Sequence, residues 1–181
     1  EFGKVELVGI GPWLMFIGFG INCAWPVLGA WLTDTYPEAS VGGLIFMATF
    51  TTKTAVYVYV LARTFPGEEW LIGIGIAMAI IPLFYAAIES DLRRILAYCL
   101  VNQVGFMVVG VGIASETQFG ELAAKTALNG TAAHAYCHIL YKALLFMAIG
   151  SVIYRTGKSR TMELGGLYRV MPLTCILCCI G

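Results

Sequence analysis

Charge is what this sequence has least of. Only 12% of its residues are Asp, Glu, Lys or Arg, about half the share of an ordinary soluble domain. By contrast 59% are hydrophobic, and the mean hydropathy is +0.82. Such a chain is expected to fold in lipid as an all-α integral membrane protein, since a backbone in hydrocarbon must satisfy its own polar groups. The scarce charges also cancel, 11 basic against 11 acidic. No overall field therefore draws the chain to nucleic acid.

The apolar runs themselves lack carboxylates. Glu1, Glu6, Asp34, Glu38, Glu68, Glu69, Glu89, Asp91, Glu116, Glu121 and Glu163 all fall in connections or at run ends. Hard cations want several oxygen ligands, so a complete sodium site is not expected within these residues. Redox-cofactor motifs are missing too: there is no CxxCH, no cluster-type cysteine array and no GxGxxG on a βαβ pattern, so no cofactor is expected. Cys23, Cys99, Cys137, Cys175, Cys178 and Cys179 lie in apolar runs, which argues against a disulfide framework. The last three have CxxC spacing but neither a second ligand pair nor a nearby histidine, so no metal is expected there. No signal pattern precedes the first run. The chain starts on Glu1 and stops inside the apolar stretch from Met171 to Gly181, which reads as a piece cut from a longer chain, with 1–181 as one transmembrane region.

A spanning helix needs roughly 20 apolar residues. Counting runs predicts a polytopic helical bundle of five full spans plus a truncated sixth. The first, Leu7 to Leu32, is interrupted by Pro12 and Pro26, with Gly18, Gly20 and Asn22 between, which predicts a discontinuous helix. The second, Ala39 to Ala62, is closed by Arg63, Pro66 and Gly67. The third, Trp70 to Ile88, and the fourth, Ile95 to Ser115, are joined by a short turn holding Glu89, Asp91, Arg93 and Arg94. The fifth, Thr126 to Tyr154, leaves into Arg155, Gly157, Lys158 and Arg160, and a sixth starts near Met171. One side of this arrangement receives Arg93, Arg94, Arg155, Lys158, Arg160 and Arg169, and the other Lys4, Arg63 and Lys125. The basic excess assigns the first side, with the Asp34 loop, to the cytoplasm.

Against that background the basic residues inside the spans stand out. A lysine at the centre of a membrane helix costs about 2.5–3.5 kcal/mol on insertion scales. Lys53 lies about 12 residues, or roughly 18 Å, into its span, too deep for easy snorkelling. It is expected to face protein or water. It is either a packing lysine neutralised or paired by its surroundings, or a proton-accepting site, as ionisable groups in membranes commonly are. His134, His138 and Lys142 recur at i, i+4 and i+8. Each step of four drifts only about 40°, so all three share one helix face. Such a row can pass protons through bridging water, because imidazole titrates near neutral pH. Two histidines held by interhelical hydrogen bonds, or an i, i+4 metal pair, are the competing readings. Arg93 and Arg94, on spacing alone, are a solvated turn.

Several motifs together resemble the antiporter-like subunits of Mrp-type cation/proton antiporters and of respiratory complex I, most nearly the D component of the Mrp complexes. They are Trp31-Leu-Thr-Asp34, Tyr36-Pro-Glu-Ala-Ser40, Thr52-Lys-Thr-Ala55, Asp91-Leu-Arg-Arg-Ile-Leu-Ala-Tyr98 and Gln103-Val-Gly105. The His134, His138, Lys142 row with Ala143-Leu-Leu-Phe146, then Gly165-Gly-Leu167 and Met171-Pro172, complete the series. The resemblance covers nearly the whole chain. It implies a subunit of fourteen or more helices in two inverted repeats, each with a broken helix, of which this chain is a central portion. The Pro26 break then belongs to the first repeat. By the same resemblance Lys53 is the central lysine of the helix after the break, His134, His138 and Lys142 are the connecting relay, and Arg93 takes the place of a pathway lysine. Two positions depart from the family pattern: Asn22 stands where the broken helix usually carries lysine, and Gly29 stands in place of histidine.

The resemblance implies a proton/cation-translocating subunit of a multisubunit monovalent cation/H+ antiporter, in a bacterial or archaeal plasma membrane. Its partners would be the bilayer, other membrane subunits, protons and monovalent cations. It would be a transporter subunit, not itself an enzyme, whether or not its complex is redox-driven. A proton-pumping subunit of a respiratory NADH:quinone oxidoreductase or membrane hydrogenase is the alternative within transport. A non-transporting assembly scaffold is the alternative from another class.

Overall fold

The computed structural model describes residues 8–60, 69–114 and 119–181. Of the features singled out above, Lys4, Arg63, Pro66, Gly67, Ser115 and the acids Glu1, Glu6, Glu68 and Glu116 lie outside the described residues. Those described contain eight α-helices: α1 (Ile10–Asn22), α2 (Ala30–Glu38), α3 (Val41–Val60), α4 (Glu69–Ile88), α5 (Leu92–Ile113), α6 (Glu121–Thr156), α7 (Leu167–Val170) and α8 (Pro172–Ile180). A single 3-10 turn, Thr161–Glu163, precedes α7. Four helices, α3 to α6, are long and apolar enough to cross a membrane. The protein is an all-α integral membrane protein, and its first apolar run is discontinuous.

That run breaks once, not twice. Pro12 is the third residue of α1, where a backbone N–H has no helical partner, so proline is tolerated. The interruption comes at 23–29. There Ala24 and Val27 take left-handed backbone angles, φ 62° and 70°, which are costly for side chains bearing a Cβ, most of all a β-branched one. Two tryptophans help hold this backbone. The Trp25 N–H donates to the Gly20 carbonyl at 3.0 Å, Trp31 Nε1 donates to the Ile21 carbonyl at 3.1 Å, and the Trp25 ring meets Phe16 at 5.3 Å. The indole of Trp31 thus caps the end of α1 from α2. Tyr36, fully buried on α2, shares its hydroxyl with the Met47 carbonyl and the Thr51 hydroxyl at 3.1 and 2.9 Å, which fastens the half-helix to α3.

α4 and α5 form an antiparallel pair, as the short charged turn predicts. Their register runs in opposite senses: Ile72 packs on Gly112, Gly75 on Gly105, and Tyr85 stacks on Tyr98 at 5.7 Å. A Cβ on Gly105 would lie 2.7 Å from the Gly75 carbonyl, so the two backbones touch, the small-residue packing usual between membrane helices. Asp91 starts α5 as its N-cap, accepting from the Arg93 and Arg94 N–H groups at 2.8 and 3.3 Å. Its other oxygen accepts from the Ser159 hydroxyl at 2.6 Å, and the Thr161 N–H donates to the Ser90 carbonyl at 2.9 Å. The connection 37–40, the turn 89–91 and the segment after α6 therefore meet at one end of the bundle, as counting spans predicts.

α5 sits at the centre, against α2, α3, α4 and α6. α6 has 36 residues, or about 54 Å, well beyond a hydrocarbon core of ~30 Å. It is longer than the predicted run because Glu121 and Lys125, which ended that run, extend the helix as an exposed i, i+4 pair at 2.5 Å. Gly157, with φ 69°, closes it.

Candidate functional site

The row on α6 is buried in steps. His138 is fully buried, Lys142 is 3% exposed, and His134 is half-buried. The regular helix supplies the spacing, and α3 and α5, packed against it, supply the burial. His134 and His138 lie with ring centres 6.1 Å apart.

Lys53 joins this row from the neighbouring helix α3. It is 6% exposed and donates to the Ala48 carbonyl at 2.7 Å. Lys53, Lys142 and His134 all lie within electrostatic reach of His138, and Lys142 lies within reach of Lys53. The side chains predicted from α3 and α6 thus form one electrostatic cluster that includes His138. No ion pair to a carboxylate involves them among the described residues.

Among the described residues neither ring nitrogen of His138 has a protein hydrogen-bond partner, nor does His134 Nε2 or the hydroxyl of buried Thr52 beside Lys53. A buried polar group without a partner costs about 1–3 kcal/mol, so such groups are uncommon unless they serve exchange with water or one another.

The break approaches the cluster. Cys23, the residue after Asn22, is fully buried and lies within electrostatic reach of Lys53. Asn22 is half-buried at the last position of α1. Gly29 has a steric reason of its own: a Cβ there would lie 2.7 Å from the Ala24 carbonyl oxygen. No histidine fits on this backbone. On the far side of the break Gly29, Trp25, Met78, Tyr98 and Val101 help line a mostly apolar cavity of about 390 Å³.

Arg93 is placed apart from the row. Its guanidinium donates to the Pro37 and Ala39 carbonyls at 2.7 and 3.3 Å, tying the end of α2 to the start of α5. Beside it Glu38, Glu89, Asp91, Arg94 and Arg160 help line a polar cavity of about 570 Å³. Cys175, Cys178 and Cys179 lie on α8, and no cluster of three His, Cys, Asp or Glu suited to a metal occurs among the described residues.

Sequence reasoning gave no site role to the polar side chains that border the row. Cys23 lies near Lys53 and Thr52 precedes it in the chain, while Tyr141 meets His138 at 5.0 Å and shares a hydrogen bond with Gln103 of α5 at 3.4 Å. The available signal was the adjacent pair Asn102 and Gln103 in an otherwise apolar span.

Residues 5–181 match the family described as NADH:quinone oxidoreductase/Mrp antiporter, TM. The chain is similar to hydrogenase-4 component B of Escherichia coli, 30% identical over 93% of this chain and 27% of that protein. It is also similar to NADH-quinone oxidoreductase subunit N of Desulforudis audaxviator, 33% identical over 89% of this chain and 32% of that one. Among solved structures it superposes on a chain of the Mrp complex from a Dietzia species with a TM-score of 0.75 at 27% identity, covering 90% of this chain and 30% of that one. The chain thus spans about a third or less of the length of these relatives.

Proposed function

Because the chain belongs to the NADH:quinone oxidoreductase/Mrp antiporter transmembrane family, we propose that it forms part of a proton/cation-translocating subunit of a multisubunit monovalent cation/H+ antiporter. In this reading Lys53, His138, Lys142 and His134 relay protons with water. The observation that carries it is fully buried His138, within electrostatic reach of Lys53 and Lys142 and with both ring nitrogens free of protein partners among the described residues.

The chemistry follows from that placement. Imidazole carries a proton on one nitrogen and accepts on the other, so His138 can take a proton from one neighbour and release one to the next. Lys53 Nζ and Lys142 Nζ are the adjacent stops. With no carboxylate among them, like charges repel, and a proton arriving on one group drives a proton off another. Counter-charge and the coupled cation's oxygen ligands then come from other parts of the longer subunit or its neighbours. Arg93 cannot release its proton. Its part is structural, to hold the end of the half-helix α2 at the polar cavity, on the face assigned above to the cytoplasm of a bacterial or archaeal cell. The subunit itself catalyses no covalent chemistry and needs no cofactor for this relay.

The test is proton flux in proteoliposomes holding the full-length subunit in its complex. Lys53→Ala and His138→Ala should each lower flux strongly while assembly survives. Parent-like flux in both would favour the scaffold reading, which Asn22 and Gly29 encourage. The names of the relatives support a second transport reading, a proton pump powered by redox partners. Proton pumping that depends on an electron donor would favour it.

A further inference from the structure

Among the described residues no protein group gives His138 the hydrogen bond that usually fixes a working imidazole through its second nitrogen. Two aromatic rings lie against its own: His134, and Tyr141 at 5.0 Å with the planes 78° apart. Tyr141 is three residues along the same helix, on the same face.

We propose that Tyr141 is a positioning residue for His138, pinned by an amide chain that starts on the backbone of α4. The direction of every bond follows from the first. The Ala79 carbonyl can only accept, so the Asn102 amide nitrogen faces it and donates. Asn102 Oδ1 then faces Gln103 and accepts from its amide nitrogen at 3.1 Å. Gln103 Oε1 is left facing Tyr141, and an amide oxygen can only accept, so the Tyr141 hydroxyl donates to it at 3.4 Å. The backbone contact of Gly75 with Gly105 brings α4 close enough for Asn102 to reach Ala79. Three helices thus converge on one ring, and the ring sets the orientation of His138 towards Lys53 on α3 and towards His134 and Lys142 on α6, the titratable groups that act on it.

This role rests on the relay proposed above, and its test separates the two. The full-length subunit, labelled with ¹⁵N-histidine in lipid, is compared with Tyr141→Phe, which keeps the ring but loses the hydroxyl, and with Gln103→Leu. His138→Gln assigns the signal. Both variants should shift the His138 ring resonances and slow proton flux about fivefold, the size of one net hydrogen bond. The double variant should be no slower than the slower single one, because both break one chain. Unchanged His138 resonances in both variants, or rate losses that multiply, would overturn the positioning role. Unchanged flux in His138→Gln would instead sink the relay, while the resonances still judge the role of Tyr141.

Discussion

The row on α6 and the break at 23–29 border the same cluster, yet they are built by opposite means. On α6 a regular helix presents His134, His138 and Lys142 on one face, and neighbouring helices bury them. At the break no repeat operates. Left-handed angles at Ala24 and Val27, the Trp31 cap and the contact of Gly29 with Ala24 set the path. Chemistry carried on a regular helix can be altered one side chain at a time with the fold retained. At the break, side-chain choice and backbone path are the same question. Substitutions should therefore separate the two regions, with losses of flux on the helices and losses of folding at the break.

The largest effect is expected from Lys53→Ala, which should lower proton flux roughly a hundredfold, the scale of losing one proton-transfer group. The complex should still assemble, judged by its gel-filtration profile, since no carboxylate is left unpaired. Gly29→His should do the reverse and destabilise by about 2 kcal/mol, because any Cβ meets the Ala24 backbone. A lowered thermal midpoint in detergent would register it. If instead the variant keeps its midpoint and gains flux, the steric account of Gly29 fails. Arg93→Ala should cost about 1 kcal/mol by leaving the Pro37 and Ala39 carbonyls without their donor, again read as a midpoint shift, with flux changed little. Lys125→Ala, at an exposed helix pair, should move the midpoint by less than about 0.5 kcal/mol.

What could be read beforehand divides along the same line. Run length located the four long helices, since lipid imposes helix and length together, and the four-residue spacing on α6 showed that its three basic residues share a face. The turn at Asp91 was legible because capping is local. Pro12 misled because proline breaks helices only beyond the first turn. The joining of Lys53 to His138 could not be read from spacing, because it depends on how α3 packs on α6. The same holds for Arg93, whose partners Pro37 and Ala39 lie 56 and 54 residues away, and for Tyr141, whose role needs α4 and α5 in contact. Family resemblance marked Gly29 as a departure, but only the backbone shows why a side chain is excluded there.

The central claim is that Lys53 on one helix and His138 on another act as a single proton path. A double-mutant cycle of proton flux in the full-length subunit tests it most directly, with Lys53→Ala, His138→Ala and the two combined. A single path predicts that each single variant is strongly impaired and that the double is no slower than the slower of the two. Parent-like flux in either single variant, or losses that multiply in the double, would contradict it.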